Sequence, residues 1–98
     1  MIRHVVSWRL KGEGAEKAVA AAEVRAVLEA LPAAIPEIKS FRVGDNVAYL
    51  GKNFDLVLIA DYDSLEDLEA YQVHPVHQEA AAYIGERTEA HTNVDFEV

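Results

Sequence analysis

The chain carries 98 residues, 51% of them apolar, and its 17 acidic against nine basic side chains leave a net charge of −8 at pH 7. That balance argues against nucleic-acid binding, which needs clustered Lys and Arg to meet phosphates, and against adhesion to anionic membranes. There is no cysteine, hence no disulfide framework, thiolate metal site or cysteine nucleophile.

The length predicts one domain, residues 1–98. Such a chain buries only about 60–65% of its unfolded surface, which leaves a lone monomer marginal. The opening residues alternate and carry charges, unlike a signal peptide, and no segment has the apolar length of a membrane span. The expectation is a soluble cytoplasmic domain.

Residues 2–10 (IRHVVSWRL) form a period-two pattern. Ile2, His4, Val6, Trp8 and Leu10 share one face; Arg3, Val5, Ser7 and Arg9 share the other. This is a strand rich in β-formers, and KGEG breaks it. From Ala15 to Leu31 the chain is Ala-rich with Glu and Lys, a helix whose buried stripe is Val24, Val27, Leu28 and Leu31. Pro32 and Pro36 bound its end. Residues 38–46 (IKSFRVGDN) read as a second strand and 46–53 as a loop. DLVLIADY, 55–62, is the clearest strand: Leu56, Leu58 and Ala60 point one way, Val57 and Ile59 the other. Apolar side chains on both faces predict cover on both sides.

A helix follows over 63–72, with Ser64 as N-cap, Glu66 and Asp67 at its positive end, and Leu65, Leu68 and Tyr71 as its inner face. Pro75 disfavours helical geometry at His74, so His74 is the junction and Pro75 opens another helix over about 76–88. HTNVDFEV, 91–98, alternates as a closing strand. The order β-α-β-β-α-β, with its second helix broken, predicts a ferredoxin-like α+β fold with a four-stranded antiparallel sheet. Two helices cover only one face of such a sheet. The third strand is apolar on both faces, and the second carries Phe41 and Val43 opposite Ile38, so a second copy of the chain is the expected cover.

AYQVHPVHQEA, 70–80, concentrates the residues able to move protons. His77 shares a helical face with Ala80, Ala81 and Ile84, which turns it toward the sheet and leaves small neighbours beside the imidazole. It is either a proton-transfer group or a core histidine bonded to a carbonyl. Tyr71 has a hydroxyl able to polarise a substrate oxygen; a Tyr–His pair in an apolar pocket suits proton removal beside a carbonyl, with the enolate held by hydrogen bonds. His74 at the break is suited to satisfying open amides at the next helix start. His4 lies on the Val6–Trp8–Leu10 face, and pattern alone leaves open whether that face meets helices or partner. His91, at a strand start, is assigned nothing. A metal site at His74 and His77 is disfavoured, since Pro75 bends the chain between them and no third ligand is signposted. Asp61 and Asp63 are expected at a strand end and turn, solvated. Gly85 falls inside the last helix, where it weakens the helix or admits a close approach.

MIRHVVSWRLK, IPEIKSFRVGDN, FDLVLIADYDSLEDLEAYQVHPVH and the terminal VDFEV together resemble the stress-responsive dimeric α/β-barrel proteins, the Dabb family, over the whole chain. Most specific is the acidic turn, then a Leu-containing helix, then Tyr-x-x-His-Pro-x-His. The resemblance implies a ferredoxin-like subunit and two sheets face to face in a barrel. One plant member is a polyketide cyclase that closes a ring by intramolecular aldol chemistry without metal or organic cofactor. There the second histidine of the motif is the base and the preceding tyrosine assists, positions that are His77 and Tyr71 here; a first-strand histidine near that site corresponds to His4. The expected site is therefore catalytic His77 and Tyr71, binding His4 and His74, with no metal and no cofactor. Two functions stay open: a homodimer binding a small apolar or carbonyl ligand that acts as a cofactor-independent cyclase, isomerase or lyase, and a non-catalytic stress-related dimer whose histidines are structural.

Overall fold

Strict alternation makes β1, Ile2–Leu10, the spine of the sheet. The computed structural model describes residues 1–98. Along β1, Ile2, His4, Val6, Trp8 and Leu10 are buried and the residues between them are half-buried. Strand side chains alternate between faces, so one face belongs to a core. Then follow α1 (Ala15–Glu29), α2 (Leu31–Ala34), β2 (Ser40–Asp45), β3 (Leu56–Tyr62), α3 (Leu65–Val73), α4 (Pro75–Arg87) and β4 (Thr88–Glu97). The strands form one antiparallel sheet in the order β2-β3-β1-β4. The fold is ferredoxin-like α+β, as the element order predicts. No helix is long and apolar enough to cross a membrane.

Val24, Leu28, Leu68, Tyr71 and Ile84 pack from the helices onto the inner rows of β1 and β3. Each large apolar side chain so buried contributes roughly 1.5–3 kcal/mol. α1 stops at Glu29 rather than at Leu31. To continue, it would need a Pro32 N–H to reach the Leu28 carbonyl. Pro32 instead sits in the first turn of α2, where a missing N–H is harmless. β4 starts at Thr88, three residues before the expected strand, because α4 runs into it without a turn and Thr88 already pairs with Leu10.

Three expectations are corrected. Leu65 is 67% exposed and only Leu68 and Tyr71 of its stripe are buried. Steps of three residues rotate about −60° each around a helix, so a stripe centred between Leu68 and Tyr71 leaves Leu65 on its margin. Phe41 and Val43 stand opposite Ala60 and Leu58 and pack on the core, so they face the helices. The apolar residues of the open face are instead Val5, Val57, Ile59, Val94 and Phe96.

Asp61 is the third. It is buried on the open face, where Arg3 lies directly opposite on β1 and Ser40 on β2. Arg3 donates to it from Nε at 2.8 Å and from a terminal nitrogen at 3.0 Å, and the Ser40 hydroxyl donates at 2.9 Å. The Arg3 bonds hold the Asp61 carboxyl below its ordinary range, against the opposing effect of burial. A carboxyl depressed in the folded state adds stability above its unfolded pKa of about 3.9 and loses it as pH falls through the folded value. Arg3→Gln should therefore be less stable than wild type in urea unfolding at pH 7, with the gap closing below about pH 4. A gap independent of pH would assign the loss to packing instead.

Candidate functional site

A helix broken at one proline builds the site. In an unbroken helix the Tyr71 and Gln72 carbonyls would accept from the N–H groups of residues 75 and 76. Pro75 has no N–H, and its ring excludes helical geometry before it. His74 is accordingly extended, at φ −62° and ψ 132°. Its own N–H takes the Tyr71 carbonyl at 3.2 Å. The two backbone groups freed at Gln72 and Val76 are then met by two histidine rings. The Val76 N–H donates to His74 Nδ1 at 3.1 Å, and the Gln72 carbonyl pairs with His77 Nδ1 at 3.1 Å.

A carbonyl only accepts, so His77 Nδ1 carries the proton and Nε2 keeps its lone pair. The ring is half-buried. Burial, with smaller contributions from His4 and His74, lowers its pKa below the ordinary 6.5, while the Gln72 bond opposes the shift. His77 is thus a neutral imidazole with a basic nitrogen at neutral pH.

Tyr71 is 1% exposed and its ring centroid lies 4.3 Å from that of His77. Burial pushes its phenol up to about 12, so it remains a hydroxyl donor at neutral pH. His4 is buried beside them, its ring 6.0 Å from Tyr71 and edge-on to it. Its face of β1 therefore meets the helices. His4 Nδ1 is bonded to Asp95 Oδ1, which β4 places directly across the ladder.

These groups line a cleft of about 240 Å³ between α4 and the inner face of the sheet. Val6, Trp8, Leu28, Leu31 and Ile84 are among its apolar lining, and His4, Tyr71 and His77 share the polar part with Gln72, Thr88 and Asn93. The volume lies just under the range of small-molecule pockets, about 300–1,000 Å³, which suits a small organic molecule. Ala80 and Ala81 line it beside His77, and a Cβ at Gly85 would meet nothing within 4 Å. His91, given no role by its sequence position, also lines the cleft. His74 does not line it, its ring nitrogen being engaged at the helix cap. A wider groove of about 940 Å³ runs elsewhere, beside α1, where Lys17 pairs with Asp55 and Arg25 with Asp45. No group of three or more His, Asp or Glu side chains converges as metal ligands would.

Sequence reading missed Asp95. Its parity along β4 is visible, but its pairing with His4 depends on a register set 91 residues away in the chain.

The model of the stress responsive A/B barrel domain, Dabb, matches residues 2–98. Among solved structures, a dimeric ferredoxin-like protein of unknown function from Bacteroides fragilis is 31% identical, with a TM-score of 0.86 over 99% of this chain and 95% of that one. A second, from Thermobifida fusca, is 32% identical, with a TM-score of 0.83 over 99% of this chain and 90% of that one. A hydroxynitrile lyase from Passiflora edulis is 19% identical, with a TM-score of 0.82 over 97% of this chain and 90% of that one; the likeness there is of fold. No curated protein matches the chain.

If His74 serves as a cap, His74→Ala should lower stability by about 1 kcal/mol and leave ligand affinity of the cleft unchanged. Thermal unfolding and calorimetric titration of the same variant check both halves; lost affinity with unchanged stability would make His74 a binding residue instead.

Proposed function

We propose that this chain, which belongs to the stress responsive A/B barrel domain (Dabb) family, is a homodimer that binds a small carbonyl compound in the cleft and moves a proton beside the carbonyl. The observation that carries the reading is the His77 Nδ1–Gln72 bond at 3.1 Å, which leaves Nε2 as a neutral base in a cleft of mixed polar and apolar lining.

The chemistry follows from the two protonation states. Nε2 of His77 takes a proton from the carbon next to the carbonyl. The C–H electron pair becomes the enolate double bond, and the carbonyl π pair moves to oxygen. The Tyr71 hydroxyl, a protonated donor on the same cleft, hydrogen-bonds that oxygen as its charge grows. The enolate carbon then attacks a second carbonyl carbon, whose π pair moves to its oxygen and takes the imidazolium proton, or the enolate takes that proton back on its oxygen or on a conjugated carbon; either way His77 returns to its neutral form. His4, steadied by Asp95, supports the same pocket. Each partner is worth a substantial factor: general base catalysis about 10²–10⁴ and one oxyanion donor about 10²–10³.

A second reading has one observation in its favour. A backbone carbonyl bonded to a half-buried ring is also the arrangement of a packed core histidine, and a non-catalytic ligand-binding dimer would keep it. Deuterium exchange into the methyl group of acetophenone separates the two. Wild type should speed the exchange, and His77→Ala should lose at least about 10² of that rate while still binding the ketone. The rate should fall on acidification with an apparent pKa below about 6.5, since the protonated ring is no base. A protein that binds acetophenone without speeding exchange would support the second reading.

Dimerisation rests on the open sheet face, where Val5, Ile59, Val94 and Phe96 lie together, and on the dimeric neighbours at 31% and 32% identity. Two such faces packed together close a dimeric α/β barrel. Ile59→Lys should convert a dimer into a monomer in sedimentation velocity, because it places an unpaired charge in that interface. A variant that stays dimeric would move the interface elsewhere.

A further inference from the structure

Tyr62 ends β3 in the inner row that begins with Leu56, Leu58 and Ala60. It is fully buried, and its hydroxyl is the one buried side-chain polar atom with no hydrogen-bond partner. Phenylalanine would fill the same space without burying an oxygen, so the hydroxyl itself calls for an explanation. It does not line the cleft. It lies behind Tyr71, with ring centroids 5.0 Å apart and planes tilted by 47°. The His4 ring is 6.3 Å from it, and His4 Nδ1 is already bonded to Asp95. Tyr71 lines the cleft, and its oxygen can accept one hydrogen bond while donating another.

We propose that Tyr62 is a positioning residue for Tyr71: its hydroxyl donates to the Tyr71 oxygen when the cleft is occupied, and so directs the Tyr71 proton at the ligand carbonyl. The proposal rests on the reading of Tyr71 as the hydroxyl that holds that oxygen. Burial removes water as a partner for Tyr62 and leaves the phenol oxygen of Tyr71 as the acceptor it shares a wall with. A hydroxyl that accepts a hydrogen bond becomes a better donor, since bonds in a chain polarise one another. The two tyrosines then act as a relay with one end sealed in the core and the other open to the ligand.

The test uses the whole protein with acetophenone labelled with ¹³C at the carbonyl, and three variants: Tyr62→Phe, Tyr71→Phe and the double variant. The carbonyl carbon should move downfield on binding to wild type, as a polarised carbonyl does. Tyr71→Phe should abolish that movement. Tyr62→Phe should reduce it and weaken binding about fivefold, and the double variant should match Tyr71→Phe alone, since Tyr62 acts only through Tyr71. In Tyr62→Phe the Tyr71 Cζ resonance of the ketone complex should also shift. If Tyr62→Phe binds and polarises the ketone as wild type does, with Tyr71 Cζ unmoved, the proposal is overturned. If Tyr71→Phe leaves the carbonyl polarised, the underlying reading of Tyr71 fails and takes the proposal with it.

Discussion

The absence of a single backbone N–H, that of Pro75, organises the cleft. It ends α3, rotates the chain at His74 and leaves a carbonyl and an amide without the partners a continuous helix would supply. Two imidazoles take their place: His74 accepts from the exposed Val76 N–H, and His77 donates to the part-buried Gln72 carbonyl. One ring becomes a cap. The other becomes an oriented base, because the carbonyl it meets dictates which nitrogen bears hydrogen. The same bond that repairs the helix break therefore sets the tautomer of His77.

Burial then acts on both members of the pair in a useful direction. Desolvation disfavours charge, so it lowers the His77 imidazole and raises the Tyr71 phenol. The proposed chemistry needs an unprotonated imidazole and a protonated phenol at the same pH, and burial favours both states. Two acidic side chains of the sheet are committed elsewhere: Asp95 holds His4, and Asp61 is tied to Arg3 on the open face. The sheet separates two polar arrangements, a cluster of His4, Tyr71 and His77 under the helices and an ion pair on the open face.

Local pattern carried much of this. Alternation over residues 2–10 marked β1 and its buried row, Ser64 marked a helix start, and Pro75 marked the break that points His77 inward. The family was legible in the Tyr-x-x-His-Pro-x-His stretch together with the flanking strands. What stayed illegible depends on register and rotation. The Arg3–Asp61 and His4–Asp95 pairs join residues 58 and 91 positions apart, and neither partner has a local signature. The inward direction of Phe41 and Val43 follows from their pairing with Ala60 and Leu58, which a one-residue slip would have reversed. Tyr62 read as the last residue of an apolar strand; only its surroundings show that its oxygen has no partner.

Everything proposed for the cleft requires His77 to be a neutral imidazole with hydrogen on Nδ1 and a free Nε2. Long-range ¹H–¹⁵N correlation of the histidine rings across a pH titration measures this directly. His77 should show a pyrrole-type Nδ1 and a pyridine-type Nε2 at pH 7, with a titration midpoint below the ordinary 6.5. A ring already charged at pH 7, or one with hydrogen on Nε2, would contradict it.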